Sequence, residues 1–297
     1  MSHFILPRPS LFGVLALCMA LQACSSLTAR KTADWAEQGQ QYVLVMREVN
    51  SLAQDESLNF TADVLPNLPR TLDTLKTQTD EMRKRIRLAQ AMDECHAQLG
   101  LYFKSLAQLA QGQQVAQAER TARELAASLK GMPTELKAQL AVPEVNAGFA
   151  GKLAEAVAKG QRNATLDRLL TEHAATIGEV LALNEQVLVE QSRWITLRAR
   201  LAREVTYRDQ VEKPFLADKP LGEAWKKAWI RELKAPSTIA LLDDARQASV
   251  AMQDTWVQVV SGVQQPSTLT ALNERLRTRV QEFKTRIGTA DREAARP

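Results

Sequence analysis

The chain has 297 residues, of which 45% are apolar and 24% charged, enough hydrophobic material for a substantial core and too much for wholesale disorder. Aromatics are scarce at 5%, and 12 glycines and 11 prolines serve the whole length, so a β or doubly wound fold lacks its β-branched runs and turn residues; the helix formers Ala, Leu, Gln, Arg and Glu predict an all-α protein. The 38 basic and 34 acidic residues leave a net charge of +4, too even a balance to imply nucleic-acid binding.

The first 23 residues carry Arg8, no acid, and an apolar run over 11–21. A run of about 11 residues is too short to cross a hydrocarbon core of about 30 Å as a helix, and the pattern is that of a secretory leader. Directly behind it stands Leu21-Gln22-Ala23-Cys24. With Leu three residues before a cysteine and a small residue just before it, this stretch resembles the lipobox of bacterial lipoproteins cleaved by signal peptidase II; Gln22 is a less usual residue at its position. The resemblance covers about 25 residues and none of the body. It implies that Cys24 becomes the mature N-terminus, with diacylglycerol on its sulfur and an acyl chain such as palmitate on its nitrogen. Chains in that number anchor stably, at about 0.8 kcal/mol per buried CH₂. Ser25 in place of Asp implies export to the outer membrane. Residues 24–32 are then a lipidated tether, of which the small, polar 25–32 would span about 25–30 Å if extended.

The remainder, 33–297, reads as one elongated helical domain with sub-boundaries near 131–162 and 212–220. Trp35, Tyr42, Val45, Val49 and Leu52 give an amphipathic helix over 33–54, and Asn59-Phe60-Thr61 with Pro66-Asn67-Leu68-Pro69 predicts a loop. A long helix over 69–112 follows. Its heptad seam, Leu68, Leu72, Leu75, Thr79, Met82 and Ile86, shifts register and continues as Leu88, Met92, Cys95, Leu99, Tyr102, Leu106 and Leu109. A weaker helix covers 115–129, and the Gly/Pro-punctuated stretch 134–160 reads as a connector with one or two short helices.

The longest predicted element is 163–211, where a four-three alternation runs from Leu166 to Val205 with Leu181, Leu188 and Ile195 widening the stripe. At 1.5 Å per residue it is about 70 Å long, and the 69–112 helix is the partner of matching length. The bundle is thus expected to be elongated and coiled-coil-like, with two long helices plus several shorter ones, pairing within one chain or across a homo-oligomer. Pro214 and Pro220 mark a break. Trp225, Trp229 and Leu233 then share a face over 221–234, Pro236-Ser237 opens another helix with Leu242, Ala245, Ser249, Met252 and Trp256 on its seam, and Pro266-Ser267 opens the last.

Candidate chemistry is sparse. Asp93-Glu94-Cys95-His96 is the densest run of ligand-type side chains, but neighbours on a helix point about 100° apart and cannot converge on one metal. Cys95 reads as a small core residue, and His173 as a seam residue beside Glu172. With Cys18 in the leader and Cys24 lipidated, Cys95 has no disulfide partner in the mature chain. Asn184, Gln191 and Arg198 interrupt the apolar seam at intervals of seven. Buried, they would fix register and partner choice; rotated outward, they would face water while Leu181, Leu188 and Ile195 face in. The basic groups around 83–87, 198–208, 226–231 and 275–286 are interleaved with acids and read as solvated faces, with lipid headgroups as the functional alternative. No phosphate loop, Gly-x-Ser-x-Gly, His-Glu-x-x-His or Cys-x-x-Cys occurs.

The expectation is a non-enzymatic, cofactor-free outer-membrane lipoprotein facing the periplasm, held to the membrane by its N-terminal lipid. Its helical rod would act as scaffold or adaptor for another envelope protein. A helical membrane-acting protein of toxin type, or an inhibitor or immunity protein, is the alternative.

Overall fold

The computed structural model describes residues 11–112, 115–132, 134, 138, 143–159, 165–217, 220–262 and scattered positions between 270 and 281. Nearly all of them are helical, and no strand occurs among them. In chain order the elements are α1 (Leu11–Val64), a 3-10 turn (Leu65–Asn67), α2 (Leu72–Ala110), α3 (Val115–Gly131), α4 (Pro143–Lys159), α5 (Thr165–Leu201), a π-helical segment (Ala202–Glu212), α6 (Lys213–Leu216) and α7 (Glu223–Ser261). Most of the expected helix after Pro266 lies outside the described residues, though Arg275 reaches back to the buried Asp244 carboxylate at 2.6 Å.

The all-α helical bundle is as expected, but its long helices number four among the described residues, not two. They are α1 with 54 residues, α2 and α7 with 39 each, and α5 with 37. Two expected breaks do not occur. Asn59-Phe60-Thr61 lies inside α1, where Phe60 and Val64 are buried. There the hydroxyls of Ser57 and Thr61 donate to the carbonyls four residues back, at 2.7 and 2.8 Å, so these weak helix formers are accommodated. Pro236 lies inside α7, whose backbone is helical on both sides. In both places tertiary packing overrides local propensity. The break over 66–69 does occur, and Thr71 ends it by accepting from the Thr74 N–H at 3.1 Å as the N-cap of α2.

Residues 25–32 are also helical, as part of α1, so they rise about 12 Å rather than the 25–30 Å of an extended tether. Thr32 and Ala33 are already buried, which marks where the packed body starts.

Contacts between helices fix their directions. Trp35 of α1 stacks on Trp256 of α7 at 5.2 Å, and the Trp256 indole donates to the Ala174 carbonyl of α5. Further along, Tyr42 meets Asn184 and Ser249, Asn50 meets Gln191, and Gln78 of α2 meets Arg198. Residue numbers rise together in α1 and α5 and fall in α2 and α7, so the four run up, down, up, down. The 3-10 turn and α6 share one end of the bundle. The α2–α3 turn and the start of α5 share the other, where α3 packs on α2 and α5, and α4 on α5 and α7.

The expected pairing of the 69–112 and 163–211 helices needs correcting. They touch at His96–Asn184 and Gln78–Arg198, but the main partner of α2 is α1 and that of α5 is α7. Reading Asn59 and Pro236 as breaks made the true partners look too short. The seam of α2 is buried mainly in its second half, from Met92 through Cys95, Leu99, Tyr102 and Leu106 to Leu109; of the first half only Met82 is buried. Leu72 and Leu75 in the first half are exposed, beyond the Gln78–Arg198 contact.

Candidate functional site

The polar residues of α5 turn inward. Asn184 and Arg198 are buried and Gln191 half-buried, while Leu181, Leu188 and Ile195 are buried beside them, so α5 presents one broad face to its neighbours. Each polar residue meets a different layer of the bundle.

The first layer takes one side chain from each of the four long helices: Tyr42, His96, Asn184 and Ser249. The Asn184 Nδ2 donates to the Tyr42 hydroxyl at 2.5 Å and to Ser249 Oγ at 3.2 Å, and Tyr42 donates in turn to Ser249 Oγ at 3.1 Å. With both amide hydrogens committed to hydroxyls, Asn184 Oδ1 must accept, and it receives the His96 Nε2–H at 2.8 Å. That fixes the His96 tautomer and leaves its buried Nδ1 as a lone pair with no partner among the described residues. Burial lowers the His96 pKa to about 4, against the raising effects of the Asn184 bond and of Asp93. Burial likewise pushes the Tyr42 phenol well above its ordinary range. Because His96 Nε2 faces an amide oxygen, in this arrangement it takes no proton from Tyr42 or Ser249.

In the second layer Gln191 Nε2 donates to Asn50 Oδ1 at 2.8 Å, and Asn50 Nδ2 donates to the Ala89 carbonyl at 3.0 Å, linking α5, α1 and α2. In the third, Arg198 Nη2 donates to Gln78 Oε1 at 2.7 Å, and two guanidinium groups lie over the Trp194 ring, Arg85 at 3.5 Å and Arg198 at 4.2 Å. Burial pulls both arginine pKa values down, opposed by the field of Glu81. A buried Gln253–Glu185 bond of 2.8 Å adds a cross-link between α7 and α5 that the heptad reading missed, since both residues sit beside the seam rather than on it.

The Asp93-Glu94-Cys95-His96 run diverges as helical geometry requires. Asp93 forms a two-point pair with Arg47 of α1 at 2.7 and 2.8 Å, Glu94 accepts from Gln98, Cys95 places its thiol in the core 3.8 Å from the Ser128 hydroxyl, and His96 enters the polar layer. The Arg47 guanidinium holds the Asp93 carboxyl below the usual range. His173 packs edge-on to Tyr102 at 5.6 Å, and burial lowers its pKa. No group of three or more His, Cys, Asp or Glu side chains that could hold a metal occurs among the described residues. Several of the described basic groups are ion-paired with local acids, as with Arg83–Asp80, Arg193–Glu190, Arg200–Glu204 and Lys213–Asp209.

The tryptophans divide. Trp256 is fully buried. Trp225 and Trp229 instead stack with Phe215 into a ladder on the outside of the α6–α7 turn, with ring centroids 5.9 and 5.8 Å apart and planes within 19° and 10°. The Trp225 indole donates to the Val211 carbonyl at 3.0 Å, tying the two limbs of the turn together. Around the ladder the apolar side chains are open to solvent: Phe215 is 61% exposed, Leu216 80%, Leu221 40%, Trp229 41% and Leu233 58%. The helical spacing of Trp225, Trp229 and Leu233 is legible in the sequence; that Trp229 and Leu233 are left exposed among the described residues is not.

Cys24 lies on α1, one turn past Leu21 and eight residues before the buried Thr32. No described helix is long and apolar enough to cross a membrane. No family model, curated protein or solved structure matches the chain.

Proposed function

We propose that the protein is a bacterial lipoprotein, anchored through Cys24 in the outer membrane and facing the periplasm, whose helical bundle serves as a non-enzymatic scaffold or adaptor for another envelope protein. One observation carries this reading: the lipobox-like residues and the exposed aromatic ladder belong to opposite ends of one rod. Cys24 and Val64 are forty residues apart on a single helix, which at 1.5 Å per residue is about 60 Å, and α6 and the ladder lie at the Val64 end. A lipid at the first end fixes an origin, and the bundle supplies a distance. The interior supports the same reading, because its polar layers cross-link the four long helices to one another.

A bundle that opens into a bilayer has less support, since the described helices hold no apolar stretch of spanning length. The test is Cys24→Ala followed by fractionation of the envelope. The variant, which keeps its uncut leader, is expected to be missing from the outer-membrane fraction and without function; a variant that still reaches the outer membrane sinks the lipid-anchor reading.

A further inference from the structure

The end of the bundle away from Cys24 is uneven. Arg198 is level with Gln78, and α2 extends only six residues beyond that level to Leu72, whereas α5, the π-helical segment and α6 continue for eighteen residues to Leu216. The second hairpin therefore projects past the first, and the projecting part carries the Phe215–Trp225–Trp229 ladder with Leu216, Leu221 and Leu233. Large stacked aromatics held in register by a Trp225–Val211 hydrogen bond are rigid, and a rigid exposed apolar surface costs little entropy when a partner covers it.

Shape and charge select the partner. Trp225, Trp229 and Leu233 follow one another at intervals of four residues along α7, a stripe about 12 Å long that matches two turns of a second helix lying alongside. Beside the stripe, Lys226 and Lys227 have no carboxylate within ion-pair distance among the described residues, although Glu223 and Glu232 share their helix; Lys213, by contrast, is held by Asp209 at 2.7 Å. A second copy of this chain would bring two such lysine pairs together across the same apolar face, which opposes self-association.

We propose that this ladder is the docking surface for an amphipathic helix of a partner protein, whose apolar face covers Phe215, Trp229, Leu216 and Leu233 and whose flanking acidic residues meet Lys226 and Lys227. The proposal rests on the scaffold reading above and names the chemistry of what the scaffold holds. A bilayer is the wrong occupant for this end, because the segment read as the membrane anchor is at the other.

The test uses the full chain carrying Cys24→Ala, purified without detergent, and two synthetic amphipathic helical peptides that share one Leu/Phe face. One peptide has glutamates flanking that face and the other lysines. Binding is read by peptide anisotropy and by the tryptophan emission of the protein. The acidic peptide is expected to bind at least tenfold more tightly than the basic one. Phe215→Ser with Trp229→Ser should weaken it at least tenfold with unchanged helical circular dichroism, since both side chains are exposed. Lys226→Glu with Lys227→Glu should invert the preference, and it does so without touching the ladder. Equal affinity for the two peptides, no binding of either, or binding indifferent to the ladder variant each overturns the proposal. So does concentration-dependent dimerisation, or binding to phosphatidylglycerol vesicles, that the ladder variant abolishes. Any of these leaves the Cys24→Ala fractionation result untouched, so failure of the docking surface is distinguishable from failure of the anchored scaffold.

Discussion

Asn184 of α5 and Tyr42 of α1 meet at 2.5 Å in the middle of the bundle, and the same Asn184 side chain also engages Ser249 of α7 and His96 of α2. One amide thus holds all four long helices at one level. Replacing it by alanine removes three hydrogen bonds, strands the buried His96 N–H, leaves the Tyr42 hydroxyl only its bond to Ser249, and opens a void. Asn184→Ala is expected to cost about 2–5 kcal/mol in urea unfolding at pH 7. Removing the network as a set, with Tyr42→Phe, His96→Leu and Asn184→Leu together, should cost less than Asn184→Ala alone, because no partner is then left unpaired and Ser249 can turn to a helix carbonyl. A single variant within about 0.5 kcal/mol of the parent would show that the layer is not a stabilising cross-link.

His96 gives the fold a defined acid sensitivity. Its pKa falls from 6.5 to about 4 on burial. Above pH 6.5 it is neutral in both folded and unfolded chains and its contribution is constant. Between 6.5 and about 4 the unfolded chain takes up the proton and the folded one does not, so stability falls as the pH falls; below that window both are protonated and the loss is complete. A shift of this size corresponds to about 3 kcal/mol in full and about 2.5 kcal/mol by pH 4.5. The stability difference between parent and His96→Gln should therefore shrink by about that amount between pH 7.5 and pH 4.5. His173 is also lowered by burial, but it is present in both proteins and cancels. A difference that does not change with pH would mean that His96 takes up its proton in the folded chain over the same pH range as in the unfolded one.

Much of this architecture is written in periodicity. The seam over 92–109 and the Trp35–Val49 face of α1 follow from four-three spacing, whereas spacing leaves Asn184, Gln191 and Arg198 free to face in or out, and only the packing turns them inward. What periodicity does not carry is where a helix stops when packing is strong enough to bridge a weak spot. Asn59 and Pro236 are local breakers, and the burial of Phe60 and Val64 on one side, and of Thr238, Leu241 and Leu242 on the other, lies with residues distant in sequence. Because packing bridges those two positions, α1 and α7 are long helices and become the main partners of α2 and α5. The ladder escaped for a related reason: a stripe of Trp225, Trp229 and Leu233 looks the same in sequence whether a neighbour covers it or a shorter hairpin has already ended.

Leucines on the two halves of the α2 seam test that point directly. Leu75 is exposed and Leu106 is fully buried, though both sit on the same heptad pattern. Leu75→Ala is expected to stay within about 0.5 kcal/mol of the parent, whereas Leu106→Ala should cost about 2–5 kcal/mol. Equal losses in urea unfolding would mean that a partner covers the first half of the seam in solution.

Glycines inside helices make the sharpest contrast between local and tertiary rules. Gly39 lies in the interior of α1, and a Cβ built there would come within 2.7 Å of Phe103 Cδ2. The Phe103 ring cannot retreat, because it stands edge-on against Trp35 at 5.1 Å, and Trp35 is in turn stacked on Trp256. Gly148 lies in the interior of α4 with nothing within 4 Å of its Cβ position. Helix propensity favours alanine over glycine at both places, by about 0.5–1 kcal/mol. At Gly148 nothing opposes this gain, so Gly148→Ala should raise the Tm. At Gly39 overpacking costs about 1–3 kcal/mol and outweighs it, so Gly39→Ala should lower the Tm and weaken the contact of α1 with α2 and α7. Thermal melts of the two variants side by side decide the matter. Shifts of the same sign would mean that the close approach of α1 and α2 at Gly39 is not held in solution.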